Sequence, residues 1–90
     1  MKVINRTTFS VCKNKVTIKQ WEDKTFDFVI TDSSGKSYSF MNEENIEQVK
    51  NDLHEIADNN DIGAELSTKA HDWYYGKVLG HDVENKYDCM

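Results

Sequence analysis

Apolar residues recur at every second position over the first forty residues and every three to four positions after that. Phe9 and Val11 alternate with Thr8, Ser10 and Cys12, and Val16 and Ile18 alternate with Lys15, Thr17 and Lys19. Phe26, Phe28 and Ile30 alternate with Thr25, Asp27, Val29 and Thr31, and Tyr38 and Phe40 with Ser37 and Ser39. A period of two belongs to a strand with one buried face. Lys13-Asn14 predicts a tight turn after the first strand. Asp32-Ser33-Ser34-Gly35 predicts another hairpin turn, because Asp and Ser bond to their own backbone and Gly accepts positive φ. The pattern is that of an antiparallel meander with one apolar face.

The period changes at Asn42. Asn is a good N-cap, and Glu43, Glu44 and Glu47 then fall in the first turns, where the helix dipole favours anions. Ile46, Val49, Leu53, Ile56 and Ala57 fill an arc of about 100°, the width of a core-facing stripe. The spacing predicts a helix over 43–58, ended by Asn59-Asn60-Asp61. Leu66, Ala70 and Trp73 predict a second, shorter helix near 64–75, stopped by Gly76. Val78-Leu79-Gly80 reads as a short extended piece and residues 81–90 as a polar tail.

The expected fold is therefore α+β. One domain over 1–80 packs a small antiparallel meander of three to four strands against one main helix and a second shorter one. Its core takes Phe9, Val11, Val16, Ile18, Phe26, Phe28, Ile30, Tyr38, Phe40, Ile46, Val49, Leu53, Ile56 and Trp73.

Composition narrows the class. The chain is 38% hydrophobic and 30% charged, which is globular rather than disordered. No run approaches the ~18–20 apolar residues that cross a membrane. The first residues lack the apolar stretch of a signal peptide. A cytoplasmic protein is expected, with Cys12 and Cys89 as thiols, one buried and one in the tail. There is no Pro, and the one Arg stands among eleven basic residues. Such usage suits an A/T-rich gene, bacterial or phage.

Charge changes the picture most. Residues 1–41 hold seven cations and four acids, whereas residues 42–90 hold four lysines and twelve acids, for a net −5. On the predicted helix, Glu43, Glu44, Glu47, Asp52, Glu55 and Asp58 occupy the half opposite the apolar stripe. Six carboxylates over about 22 Å approach the spacing of a nucleic-acid strand, one phosphate per ~3.4 Å. Solvated helix faces also carry charge, but they interleave signs, and here Lys50 is the lone cation.

Other signals point to weaker chemistry. Lys13, Lys15, Thr17, Lys19 and Trp21 share a strand face that could track a nucleic-acid backbone. The net charge opposes direct nucleic-acid binding, and lysines also protect edge strands from aggregation. His54 and Asp58 lie four residues apart, but zinc chemistry needs further ligands, so no metal is assigned. Ser34-Gly35-Lys36-Ser37 ends like a phosphate-binding loop, yet Ile30 stands where that loop needs Gly. No catalytic triad can be nominated, so no enzyme and no cofactor is expected. Tyr75, beside Trp73 and Tyr74, is a candidate interface anchor.

The chain resembles the small early proteins of T-even bacteriophages: compact, proline-free, rich in Lys, Asn and Asp, with acids concentrated over Glu43–Asp58. Among them it is most similar in character to the Arn-like anti-restriction DNA mimics. The resemblance lies in composition and charge layout. It implies an inhibitor that blocks a restriction nuclease or nucleoid protein, with a basic nucleic-acid-binding protein as partner. A homodimer would present two acidic helices together. The alternative expectation is a small nucleic-acid-binding module that uses the lysine strand.

Overall fold

The computed structural model describes residues 2–57 and 59–80. Strands β1 (Val3–Val11), β2 (Asn14–Trp21), β3 (Phe26–Thr31) and β4 (Ser37–Glu43) form one antiparallel sheet in sequence order. Helices α1 (Ile46–Ile56) and α2 (Asn60–Asp72) follow, and α2 runs on as a π-helix over Trp73–Val78. The fold is the expected α+β meander under two helices.

Both helices cover the same face of the sheet. Val11, Val16, Ile18, Phe26, Phe28 and Ile30 point into that layer and meet Ile46, Val49, Leu53, Leu66, Ala70 and Trp73. Each large aliphatic or aromatic side chain removed from water there contributes about 1.5–3 kcal/mol. Phe28 stacks on Phe40, its partner across β3 and β4, with ring centroids 4.6 Å apart. Phe9, Tyr38, Phe40 and Ile56, expected in the core, sit partly buried at its margin.

The turns follow local chemistry. Val11 pairs with Asn14, which leaves Cys12 (φ 47) and Lys13 (φ 67) as a two-residue loop with both residues left-handed. That is the primed turn whose twist matches a hairpin. The tight turn therefore lies one residue earlier than Lys13-Asn14. Asn14 opens β2, fully buried, and its Nδ2 donates to the Cys12 carbonyl at 3.1 Å. Cys12, expected to be buried, is exposed at the tip of the turn. In the next two turns a carboxylate organises the backbone: Asp23 accepts from Thr25 N–H at 3.0 Å, and Asp32 from Ser34 and Lys36 N–H at 3.0 Å each.

The helix boundaries differ from the expected ones. Asn45, not Asn42, caps α1; its side chain accepts from Gln48 N–H at 3.0 Å, while Gln48 Oε1 accepts from Glu44 N–H at 2.8 Å. This is a reciprocal cap of the capping-box kind. Asn42 lies in a bulge of β4 at φ 60, its N–H bonded to Asp27 Oδ1 at 3.0 Å. Asn59 starts a helix instead of ending one, accepting from Ile62 N–H at 2.9 Å. As a result α2, at 13 residues, is longer than α1, at 11. Gly76 does not stop the chain's helical course: the π-helix carries it to Val78, and the Leu79 N–H reaches the Tyr74 carbonyl at 2.9 Å. The tail, 81–90, lies outside the described residues.

The helices are held close by Gly63. A β-carbon there would lie 2.9 Å from the His54 carbonyl oxygen and 3.1 Å from its Cα, both of them backbone. Gly→Ala within a helix ordinarily gains about 1 kcal/mol of propensity. Here the two helices would have to separate, and overpacking of that kind costs about 1–3 kcal/mol. Gly63→Ala should therefore lower Tm by several degrees in thermal unfolding, although the same change on an exposed helix would raise it.

Candidate functional site

The described residues form a slab of 32 × 29 × 17 Å. One broad face is the outer side of the helices and the other is the uncovered side of the sheet. These two surfaces divide the charge.

The acidic side belongs to the helical layer, but the six expected carboxylates do not stand in one row. Glu47, Asp52 and Glu55 are on α1. Glu44 precedes the cap, exposed. Glu43 is the last residue of β4, and Asp58 lies outside the described residues. Glu47 meets Lys50 Nζ at 3.3 Å. Among the described residues no lysine or arginine lies within ion-pair distance of Glu44, Glu55, Asp61 or Glu65, all exposed. The acidic surface is thus spread over both helices. The 3.6-residue period of α1 could not show that the next helix adds to it.

Glu43 owes its position to the bulge. Phe40 pairs with Phe28, yet Glu43 and not Asn42 pairs with Phe26. The additional residue reverses the alternation and turns Glu43 toward the helices, half-buried, where Asp52 of α1 faces it. One Glu43 oxygen, Oε1, is buried with no hydrogen-bond partner among the described residues. Burial first, then a hydrogen bond shared with Asp52, then the Asp52 charge raise the Glu43 carboxyl to about 7. Two ionised carboxylates have no proton to share; one protonated member lets the pair make its hydrogen bond.

Tyr75, the candidate interface anchor, is partly buried. It packs against the core's edge, between His71 (centroids 4.6 Å) and Tyr74 (5.2 Å). The wider hydrogen-bond step of the π-helix rotates the face that residues 73–78 present. Tyr74 and Trp73 in turn stand edge-on to Phe26, at 5.4 and 6.4 Å. His71 meets Asp72 at 3.3 Å, and His54 is exposed.

The basic side is the open sheet face, ordered into rows by the strand register. Arg6 pairs with Lys19 and Lys19 with Asp27; Thr8 pairs with Thr17, Thr17 with Val29 and Val29 with Ser39; Ser10 pairs with Lys15, Lys15 with Thr31 and Thr31 with Ser37. Lys15, Thr17, Lys19 and Trp21 share this face as expected, while Lys13 leaves it for the turn. A shallow depression of about 400 Å³ opens there, lined by Arg6, Thr17, Lys19, Asp27, Val29, Ser39 and Met41, with Phe28 and Phe40 in the strands beneath. Arg6, Val29, Ser39 and Met41 were not singled out from sequence. The alternation of Arg6 with Thr8 and Ser10 carried the signal, but only the register shows that it stands beside Lys19.

No protein-family model, curated protein or solved structure matches the chain. Among the described residues, no helix is long and apolar enough to cross a membrane.

The carboxyl groups set opposite pH trends. Glu43, raised in the fold, binds a proton that the unfolded chain releases near 4.5. Stability should fall as pH rises from about 4.5 to about 7, by of the order of 1–2 kcal/mol after allowance for water reaching the pair. Asp23 and Asp32 are lowered from 3.8, by hydrogen bonds from Thr25 and from Ser34 respectively. Their contribution is present above that value and is lost in stronger acid. Tm measured across pH 3–9 should therefore peak near pH 5. Glu43→Gln should raise Tm at pH 8 and flatten the neutral limb; a limb unchanged in that variant would show that another group controls it.

Proposed function

We propose that this is a non-enzymatic binding protein of the bacterial cytoplasm, phage-encoded, that inhibits a nucleic-acid-handling protein through its acidic helical layer. The observation that carries the reading is the set of exposed acids on and beside α1 and α2, of which Glu44, Glu55, Asp61 and Glu65 have no cationic partner among the described residues. Ordinary solvated helices pair such charges at i, i+4. Unpaired carboxylates on a stiff helical hairpin offer a basic cleft the negative charge that it meets on DNA. Glu44 and Glu55, with Glu47 beside its Lys50 partner, are the contacts; Asp52 and Glu43 are partly buried and set the edge of the surface. Tyr75 is half-buried at the end of the layer, beside His71 and Tyr74. A homodimer would lengthen the surface by placing two such layers side by side.

The partner is a restriction nuclease, or a nucleoid or transcription protein, with a positively charged DNA channel. The wild-type protein should displace labelled duplex DNA from such a protein in fluorescence anisotropy, with an efficiency that falls steeply between 50 and 200 mM salt, as about tenfold or more is lost when several charges are engaged. Reversing Glu44, Glu47 and Glu55 to Lys should abolish displacement while leaving the circular dichroism spectrum intact. Displacement that survives the triple reversal would remove the acidic layer from the mechanism.

A further inference from the structure

The sheet face presents a second site of opposite sign. Arg6 and Lys19 stand directly across from each other on β1 and β2. Like charges opposite one another in a sheet repel. No carboxylate among the described residues lies within ion-pair distance of either. Asp27 is the register partner of Lys19, yet its Oδ1 is occupied by the Asn42 N–H at 3.0 Å. Asp27 lines the depression with these two cations, one of its oxygens engaged by the bulge, and it makes no ion pair with either. Beside them the depression offers the Thr17 and Ser39 hydroxyls, and an apolar ledge from Val29 and Met41, the latter 69% exposed.

The net charge of −5 does not argue against an anionic ligand here. The slab is 17 Å thick. Charges are screened beyond about 8 Å at physiological ionic strength, so an anion on the sheet face meets Arg6, Lys19 and Lys15 and is shielded from the helical acids.

We propose that this depression binds a nucleotide, free or within a single strand. Arg6 and Lys19 hold the phosphate, the arginine through its planar fork and the lysine as a point charge. Thr17 and Ser39 supply hydroxyl donors, and the base lies on Val29 and Met41. An unpaired base fits this arrangement because only an unpaired base offers its face to an apolar ledge. A duplex would bring its phosphates and leave the ledge empty. The site rests on the open sheet face alone and is independent of the acidic layer and of its partner.

The test is titration of the full chain at 150 mM salt with four probes: a thymidine dodecamer, thymidine monophosphate, inorganic phosphate and poly-glutamate. Calorimetry gives the affinity, and the methionine methyl resonances give the place. The dodecamer should bind and shift the Met41 methyl; Arg6→Ala and Lys19→Ala should each weaken it about tenfold, the effect of one charge-assisted contact. Lys77→Ala, which removes the same charge from the helical side, should change affinity by less than twofold. Both sheet variants replace surface residues and relieve a repulsion, so their Tm should equal or exceed that of the parent. Monophosphate binding with the same two sensitivities identifies a free nucleotide as ligand; dodecamer binding without it identifies a strand. The Glu44, Glu47 and Glu55 reversal should leave either affinity intact, so this site and the acidic layer can fail separately. Absence of binding by both nucleotide probes overturns the proposal, as does affinity unchanged by Arg6→Ala and Lys19→Ala. Inorganic phosphate or poly-glutamate binding as tightly as the dodecamer overturns it too.

Discussion

The structure depends on burying one face of a four-stranded sheet under a helical hairpin and leaving the other uncovered. Val16, Ile18, Phe28 and Ile30 have almost no exposure, and the helices seal them with Val49, Leu53, Leu66 and Ala70. A chain of this size can close only one such layer. The uncovered face must then be polar, and it is: serine, threonine, lysine and arginine hold most of its positions, and cross-strand hydroxyl pairs such as Thr8–Thr17 at 3.1 Å and Thr31–Ser37 at 2.8 Å knit the rows together. Thinness follows from the same constraint. Two layers make 17 Å, enough to screen the charge of one side from the other.

The bulge in β4 connects the two sides. Asn42 takes the left-handed conformation that Asn tolerates better than most residues. Its N–H is satisfied by Asp27 instead of by the sheet ladder. One inserted residue has two effects. It carries Glu43 to the inner face against Asp52, and it engages one oxygen of Asp27, the register partner of Lys19. A bulge is a means of re-aiming side chains beside functional positions. Here it re-aims Glu43 on one face and gives Asp27 a backbone donor on the other.

The charge division has a physical logic that a net value hides. Seven cations and four acids fall in the sheet half of the chain, and the acids of the second half fall on and around the helices. An acidic helical layer favours encounter with a basic protein, and the sheet face retains cations that such a partner would leave free. On the two proposals, the basic partner would take one side and the nucleotide the other, without the two charges cancelling.

Much of this was legible in the sequence. The period of two in Phe26, Phe28 and Ile30 placed a strand with its inner face correct, and the spacing of Ile46, Val49 and Leu53 placed a helix with its core stripe correct, because both patterns report burial, and burial is what local periodicity encodes. The six-carboxylate row was not legible as it stands. Asn42, Asn45 and Asn59 are each a plausible cap by residue type, and pairing with β3 made the first a bulge and left the other two as the caps. The helical course through Gly76 was not legible, because nothing in the neighbourhood of Tyr75 announces a π-helix. The sequence alone determined the centre of the core, Val16, Ile18, Phe26, Phe28, Ile30, Val49 and Leu53, and where charge gathers along the chain. The tertiary structure decided which charges face each other: Arg6 against Lys19, Glu43 against Asp52 and Asp27 against Asn42. Those neighbours are set by strand register and a one-residue bulge, and register is a relation between segments that no single segment carries.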